Sequence, residues 1–340
     1  MNYGLPYRGS KSRIAEEVIK QLPAAEAFVD LFAGGCAMTH AAMLSGKYER
    51  FLVNDVNPLI PQLFCDAIAG KYHDEQRWIS REDFFAQKDS VPYVKVCWSF
   101  GNDGETYIYG RPIEPYKKAL HYAVVYDDWA QMEELCPEVV EACKARLATI
   151  TNRKERRVQI GRAVVLRLKE IGNPELVKSN LLYNSCHRKP GGGDSLQSLQ
   201  SLESLQSLES LQRLERLERL QSLQSTRAIT VAGLDYQAVE LPDDAVIYCD
   251  PPYNTKTSKG CYGMAFDFER FYDWLRHIGR PVYVSEYSMP GDFVRVWSKN
   301  VLALVCAIAP TERTEGLWVH RDWAEAATEH NLFSATELWQ

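Results

Sequence analysis

The feature that most constrains this chain is the run Ala245-Val246-Ile247-Tyr248-Cys249, followed at once by Asp250-Pro251-Pro252-Tyr253. Five consecutive apolar residues read as a strand buried on both faces. The prolines stop it, since they bring no N–H to a ladder and fix φ. An acid and an aromatic ring are thereby left at the carboxyl end of the strand, where open α/β sheets put their sites.

The start of the chain has the same grammar. Ile14, Ala15, Val18 and Ile19 are spaced as on a helix within residues 9–22. Ala27-Phe28-Val29-Asp30-Leu31-Phe32 then runs as a short apolar strand into Ala33-Gly34-Gly35, a tight turn. Residues 37–44 read as helix and Phe51-Leu52-Val53-Asn54-Asp55 as a second strand. Strand, glycine turn, helix, strand opens a parallel sheet. The pattern returns late, with strands over 228–231, 245–250, 281–285 and 301–308 and a helix over 268–278. The expected architecture is one α/β domain, residues 1–63 and 226–340, interrupted by an inserted module, 64–225, that is mainly helical, with helices over 115–125 and 137–168.

The insert has two unusual stretches. Residues 151–190 hold ten basic against three acidic residues, in a chain whose formal net charge is −6. Such a local excess suits either a phosphate-contacting surface or a solvated helix face. After the loop-like residues 184–194, leucine recurs at every third position from Leu196 to Leu223, ten times, among Ser, Gln, Glu and Arg. Each step of three turns an α-helix by about 300°, so the leucines form no stable stripe. The period is neither a heptad nor that of a leucine-rich repeat, and no conformation is assigned to it. A tolerated loop expansion, a length-variable arm in recognition, and a surface for a protein partner all remain open.

Nine cysteines, an odd number with no C-x-x-C pair, argue against a disulfide framework or a zinc ribbon and read as reduced thiols. No apolar run approaches the roughly 20 residues of a membrane span. Arg8, Lys11 and Arg13 are followed by no apolar segment of a secretory signal, so a cytoplasmic protein is expected.

Four sites carry chemistry. An exocyclic amine on an aromatic ring is a weak nucleophile, and acceptors for its two N–H bonds return electron density to nitrogen. Asp250 and the carbonyl of Pro251 can be those acceptors, Pro252 stiffens the turn, and Tyr253 offers a face for stacking. Gly34 and Gly35 admit a ligand close to the backbone, but the turn lacks the G-x-G-x-x-G of a dinucleotide site. Asp55, ending the second strand, can bind both hydroxyls of a ribose, or cap a helix. Lys11, in Tyr7-Arg8-Gly9-Ser10-Lys11, can pair with a carboxylate.

In this order, Tyr7–Lys11, Phe28–Ala37, Asn54–Asn57, Leu234–Tyr236 and Asp250–Tyr253, with a weaker match over Pro281–Tyr287, resemble the Dam-type DNA adenine-N6 methyltransferases of the alpha arrangement. The resemblance implies a Rossmann-like methyltransferase sheet, S-adenosyl-L-methionine as cofactor with no metal, double-stranded DNA as partner, and a bacterial or phage source. It implies that Lys11 holds the methionine carboxylate with Tyr7 nearby, that Asp30, Phe32 and Gly34 line the methionine part, that Asp55 takes the ribose, and that Asp235 and Tyr236 flank the cofactor's adenine. Asp250, Pro251, Pro252 and Tyr253 would act on a flipped-out adenine, and the insert would recognise the target sequence. The triplet leucine block and Ser285-Glu286-Tyr287, where an Asn-containing turn is usual, depart from the pattern. Methylation of RNA adenine or protein glutamine, and a noncatalytic scaffold, are the rival readings.

Overall fold

A computed structural model of the chain describes residues 3–7, 9–100, 103–147, 150–152, 155–161, 163, 209–223, 228–253, 266–303 and 311–327. These fall into two compact units, one drawn from 1–73, 216–303 and 311–327, the other from 74–215. The sequence boundaries at 63/64 and 225/226 lie ten residues away on each side. Helix α3 (Leu59–Ile68) adds Ile60, Leu63 and Phe64 to the buried interior of the first unit, and Arg216 to Leu223 also belong to it.

The first unit is built on a mixed sheet of seven strands in the order β3-β2-β1-β4-β5-β7-β6. β1 (Ala27–Asp30), β2 (Arg50–Asn54), β3 (Ala228–Ala232), β4 (Ala245–Cys249) and β5 (Val282–Glu286) are parallel neighbours in that order, and β6 (Phe293–Ala303) and β7 (Thr311–His320) add an antiparallel pair. This α/β sheet is consistent with a Rossmann-like methyltransferase fold. Every residue of β1 and β5 is buried, as continuous apolar strands between covering layers require. Helices α1 (Ala15–Gln21) and α2 (Ala37–Ser45) bury Val18, Ile19, Met38 and Ala42. The sequence reading missed β7 and began β6 late, because β6 alternates apolar and polar residues and β7 starts with five polar ones.

The second unit is helical where described: α4 (Arg81–Gln87), α5 (Pro92–Cys97), α6 (Glu114–Val125), α7 (Ala130–Leu135), α8 (Pro137–Leu147) and a segment over 155–161. Ser80 caps α4 by accepting from Asp83 N. The single helix expected over 137–168 is broken at 150–152, where the Asn152 side chain accepts from Glu155 N and starts a new segment. The core is aromatic: Trp78 stacks on Tyr109 at 5.5 Å and meets Trp98 edge-on at 5.1 Å.

The basic stretch 151–190 lies mostly outside the described residues, as do the loop 184–194 and the repeat before residue 209. The end of the repeat is α9 (Glu209–Leu220), closing in a 3₁₀ turn over Gln221–Leu223. Leu214, Leu217, Leu220 and Leu223 are all buried. The 60° drift per triplet is met by burial over a broad arc, and the tighter 3₁₀ turn recovers the three-residue period at the end. The intervening arginines reach main-chain oxygens. Arg213 donates to the carbonyls of Val96 and Cys97, which end α5, and of Ser99 just beyond it, and Arg216 to those of Tyr3 and Gly4. No helix among the described residues is long and apolar enough to cross a membrane.

Candidate active site

Strand order reverses at β1, with β2 and β3 on one side and β4 and β5 on the other. Such a switch point leaves a crevice beyond the strands' carboxyl ends. Three acids line that edge on adjacent strands: Asp55 after β2, Asp30 closing β1, and Asp250 after β4.

The glycine turn after β1 is held by the N-terminal segment. Leu5 N donates to Gly35 O at 2.7 Å, and Gly4 N to His40 Nδ1 at 2.9 Å. Gly4 has φ +64, and a Cβ there would lie 2.3 Å from Gly35 O. The Tyr7 ring covers the turn, 3.1 Å from where a Gly34 Cβ would stand, and Gly34 itself takes φ +45. No side chain fits at Gly4 without moving backbone, so the apposition of the two segments depends on glycine.

Asp55 is fixed by backbone donors. Its Oδ2 accepts from Gly34 N and its Oδ1 from Asn57 N, both at 2.9 Å. Burial raises its pKa, opposed by these two N–H groups. Beside it, buried Asn54 donates to Leu31 O and Leu234 O and accepts from Leu234 N, joining three loops. Val56 and Leu234, on two of those loops, are exposed apolar side chains at 68% and 47%.

Asp30 is 1% exposed. Its Oδ2 accepts from Thr39 Oγ1 at 2.7 Å, and its Oδ1 has no hydrogen-bond partner among the described residues. Burial pushes its pKa up to about 7; the Thr39 hydrogen bond opposes this, and the charges of Asp250 and Asp55 add to it. Phe32 turns into an aromatic cluster with Tyr236, Phe266 and Phe271 at 5.5 to 5.7 Å. The hydroxyl of Tyr236 is buried without a partner among the described residues, while Asp235 caps the turn at Tyr236 and pairs with Arg270 in the open.

Asp250 is held by side chains. Lys11 Nζ lies 2.7 Å from its Oδ1, across 239 positions of sequence. Among the described residues the carboxylate nearest Lys11 is that of Asp250. Lys11 Nζ also lies 4.4 Å from the centroid of the Tyr253 ring and 3.9 Å from Glu315 Oε1. The Tyr253 hydroxyl donates to the same Glu315 oxygen, and the ring meets Tyr287 edge-on at 4.4 Å. Burial lowers the pKa of the Lys11 ammonium, but Asp250 and Glu315 more than reverse this and it is raised. Burial pushes Asp250 up to about 6; Lys11 opposes and Glu315 adds. Pro251 is buried and Pro252 half-buried in the turn between strand and ring.

Sequence reasoning missed Glu315. It shares a face of β7 with Leu317 and Val319, both 0% exposed, and that two-residue phase is the signal that could have found it. The cysteine thiols of β4 and of the glycine turn, Cys249 and Cys36, are raised well above their ordinary pKa by burial, which leaves them protonated and inert. No group of three His, Cys, Asp or Glu among the described residues is arranged to hold a metal.

These residues suit a cationic nucleoside cofactor. Asp55 has lone pairs left for hydroxyls, Val56 and Leu234 offer apolar surface for a base, and one oxygen of Asp30 is buried with no partner among the described residues. A curated relative, the Retron Ec67 DNA adenine methylase of Escherichia coli, is 30% identical over 120 residues, covering 35% of this chain and 37% of the relative. The chain thus spans little more than a third of the length of the relative it matches. Residues 7–107, which carry Tyr7, Lys11, Asp30, Phe32, Gly34 and Asp55 but end before Asp250, match the D12 class N6 adenine-specific DNA methyltransferase family.

Proposed function

We propose that this protein is an S-adenosyl-L-methionine-dependent methyltransferase acting on the exocyclic N6 amine of adenine in double-stranded DNA. The observation that carries the reading is the half-buried Asp250, aligned by Lys11 and followed by Tyr253, at the switch point of the sheet. The match over residues 7–107 supports the same class.

S-adenosyl-L-methionine, when bound, supplies an electrophilic methyl group. Asp55 holds its ribose hydroxyls, and Tyr7, Gly34 and Asp30 line its amino-acid part, with the Asp30 carboxylate facing positive charge. Phe32 backs the methionine part, and Val56, Leu234, Tyr236 and the Asp235 turn wall the base. A target adenine is flipped from the duplex at a cost of a few kcal/mol and stacks on Tyr253. Asp250 and the Pro251 carbonyl accept the two N6–H bonds and return density to nitrogen. One proton must leave N6 as its lone pair takes the methyl and the carbon–sulfur pair returns to sulfur, and the Asp250 carboxylate is the acceptor. Alignment supplies most of the acceleration. The basic residues of the insert, 64–225, contact phosphates and set the target sequence.

The test is methylome sequencing of DNA from cells expressing the protein, beside Asp250→Ala. N6-methyladenine at one motif, lost in the variant, is expected. Soluble protein with no new N6-methyladenine overturns the reading.

A further inference from the structure

Glu315 is 4% exposed. Its face of β7 continues with Leu317 and Val319, so packing alone would favour a leucine there. A carboxylate removed from water is costly unless its partners offset the loss. Both partners found are site residues: the Tyr253 hydroxyl, and the Lys11 ammonium at 3.9 Å. One ammonium therefore serves two carboxylates, the nearer being Asp250 at 2.7 Å.

Resting on the reading above, we propose that Glu315 is a positioning residue of the methyl-transfer site, acting through Tyr253, whose ring it locks by the hydroxyl, and through Asp250, with which it shares Lys11. Tyr253 has two side-chain torsions. The turn sets its Cα, the bond to Glu315 sets the tip, and Tyr287 buttresses the ring. A stacking surface held at both ends loses little freedom when a base arrives. Glu315 also draws part of the Lys11 charge from Asp250 and adds its own negative field, so Asp250 holds a proton more readily than Lys11 alone would allow. An acceptor paired too tightly would be a poor base, and an unpaired one would be neutral. Around Asp250 and Glu315 the other charged and titratable groups are Asp30 on β1, Tyr248 on β4, Glu286 and Tyr287 at the end of β5, and Arg313 on β7, which lies 5.1 Å from the Tyr287 ring. None of these donates to Glu315 in the described contacts, so the effect is assigned to Lys11 and Tyr253.

The experiment reads Asp250 without relying on turnover. The protein is labelled with 13Cγ-aspartate, the Asp250 resonance is identified by its loss in Asp250→Asn, and its titration is followed in wild type, Glu315→Gln and Tyr253→Phe, with folding checked by thermal melts. Removing the Glu315 charge lowers the Asp250 midpoint by about one pH unit. The acid limb of kcat for DNA methylation moves down by the same amount, and kcat at neutral pH falls about tenfold while cofactor KM stays within about twofold. Tyr253→Phe costs less in the Glu315→Gln background than in wild type, because the hydroxyl has already lost its charged partner. An unmoved midpoint in folded Glu315→Gln overturns the proposal. Should Glu315→Gln not fold, Glu315→Leu, which suits the apolar face of β7, takes its place: the Asp250 midpoint falls by about one unit, and an unchanged midpoint again overturns the proposal. A shifted midpoint in a wild type that methylates no DNA leaves the positioning in place and removes the methyltransferase reading.

Discussion

Asp55 and Asp250 stand on either side of β1 and do opposite things with a half-buried negative charge. Asp55 is tied by two backbone N–H groups, which cannot move without the loop. Asp250 is tied by the tip of a lysine, which can swing. Backbone donors fix direction and leave lone pairs free, as a group that recognises hydroxyls in one geometry requires. A side-chain cation holds the carboxylate ready but can be displaced when a substrate amine arrives, as a group that takes part in a reaction requires. The difference fits the proposed division of one acid to binding and the other to chemistry, and substitutions can pull the two apart.

Asp250→Ala gives the largest effect expected. Loss of the acceptor lowers methyl transfer by at least about 10³-fold. Cofactor affinity by calorimetry changes little, because nothing that holds Asp55 or the glycine turn touches Asp250. Lys11 keeps a carboxylate in Glu315 at 3.9 Å, so the fold survives. Equal loss of transfer and of cofactor binding would erase the distinction. Asp55→Ala is the converse and comes next. Two hydrogen bonds to a charged acceptor vanish, each worth about 1.5–3 kcal/mol, and cofactor affinity falls by at least about tenfold. The melting temperature falls too, since the N–H groups of Gly34 and Asn57 lose their acceptor. Normal cofactor binding by folded Asp55→Ala would reverse the assignment.

How far this contrast was legible follows from how each acid is held. Asp55 and Asp250 are legible because each ends a short apolar strand, and the strand's period and its acid are adjacent in sequence; Asp30 sits inside the strand read over 27–32 and is singled out only by the resemblance. The parallel strands share that clarity, being buried on both faces. The pairing of Lys11 with Asp250 is not legible, since nothing local joins residues 239 apart. The antiparallel edge is obscure for another reason. β6 carries Arg295 and Lys299 among its apolar residues, and β7 begins Thr-Glu-Arg-Thr-Glu, so composition argues for loop while the sheet supplies the partner. Glu315 was lost with its strand. The leucine triplets obscure their own helix, because their period agrees with no α-helical stripe and it is Arg213 and Arg216, bonding to carbonyls, that let a broad arc be buried.

Asp30 lies between the two acids and has one hydroxyl donor. Its pKa in the folded protein, about 7, stands above its ordinary 3.8. The folded state therefore binds the proton more tightly than the unfolded chain. The stability this contributes is complete below pH 3.8 and is lost as pH rises through 7. Asp30→Asn keeps an acceptor for Thr39 and cannot ionise. Relative to that variant the wild type should lose on the order of a few kcal/mol between about pH 4 and pH 7, read as a difference in denaturant midpoints. Parallel pH profiles would mean that the Asp30 carboxylate stays charged and that its second oxygen has a partner in solution.

The smallest effect belongs to Asp235, which resembles Asp55 in its bonding and differs in its burial. It too accepts from a backbone N–H, that of Gln237 at 3.0 Å, and it adds a pair with Arg270. Yet its side chain is 44% exposed and that of Arg270 46%, so water already solvates both charges and screens their attraction. Asp235→Asn keeps the carbonyl oxygen that caps the turn at Tyr236, and the turn keeps its aromatic anchorage to Phe32, Phe271 and Trp274. Cofactor affinity should change by less than about twofold and the melting temperature hardly at all. A tenfold loss of affinity would show that Asp235 touches the cofactor through its charge, and backbone anchorage together with burial would no longer be what separates a binding acid from a structural one along this edge.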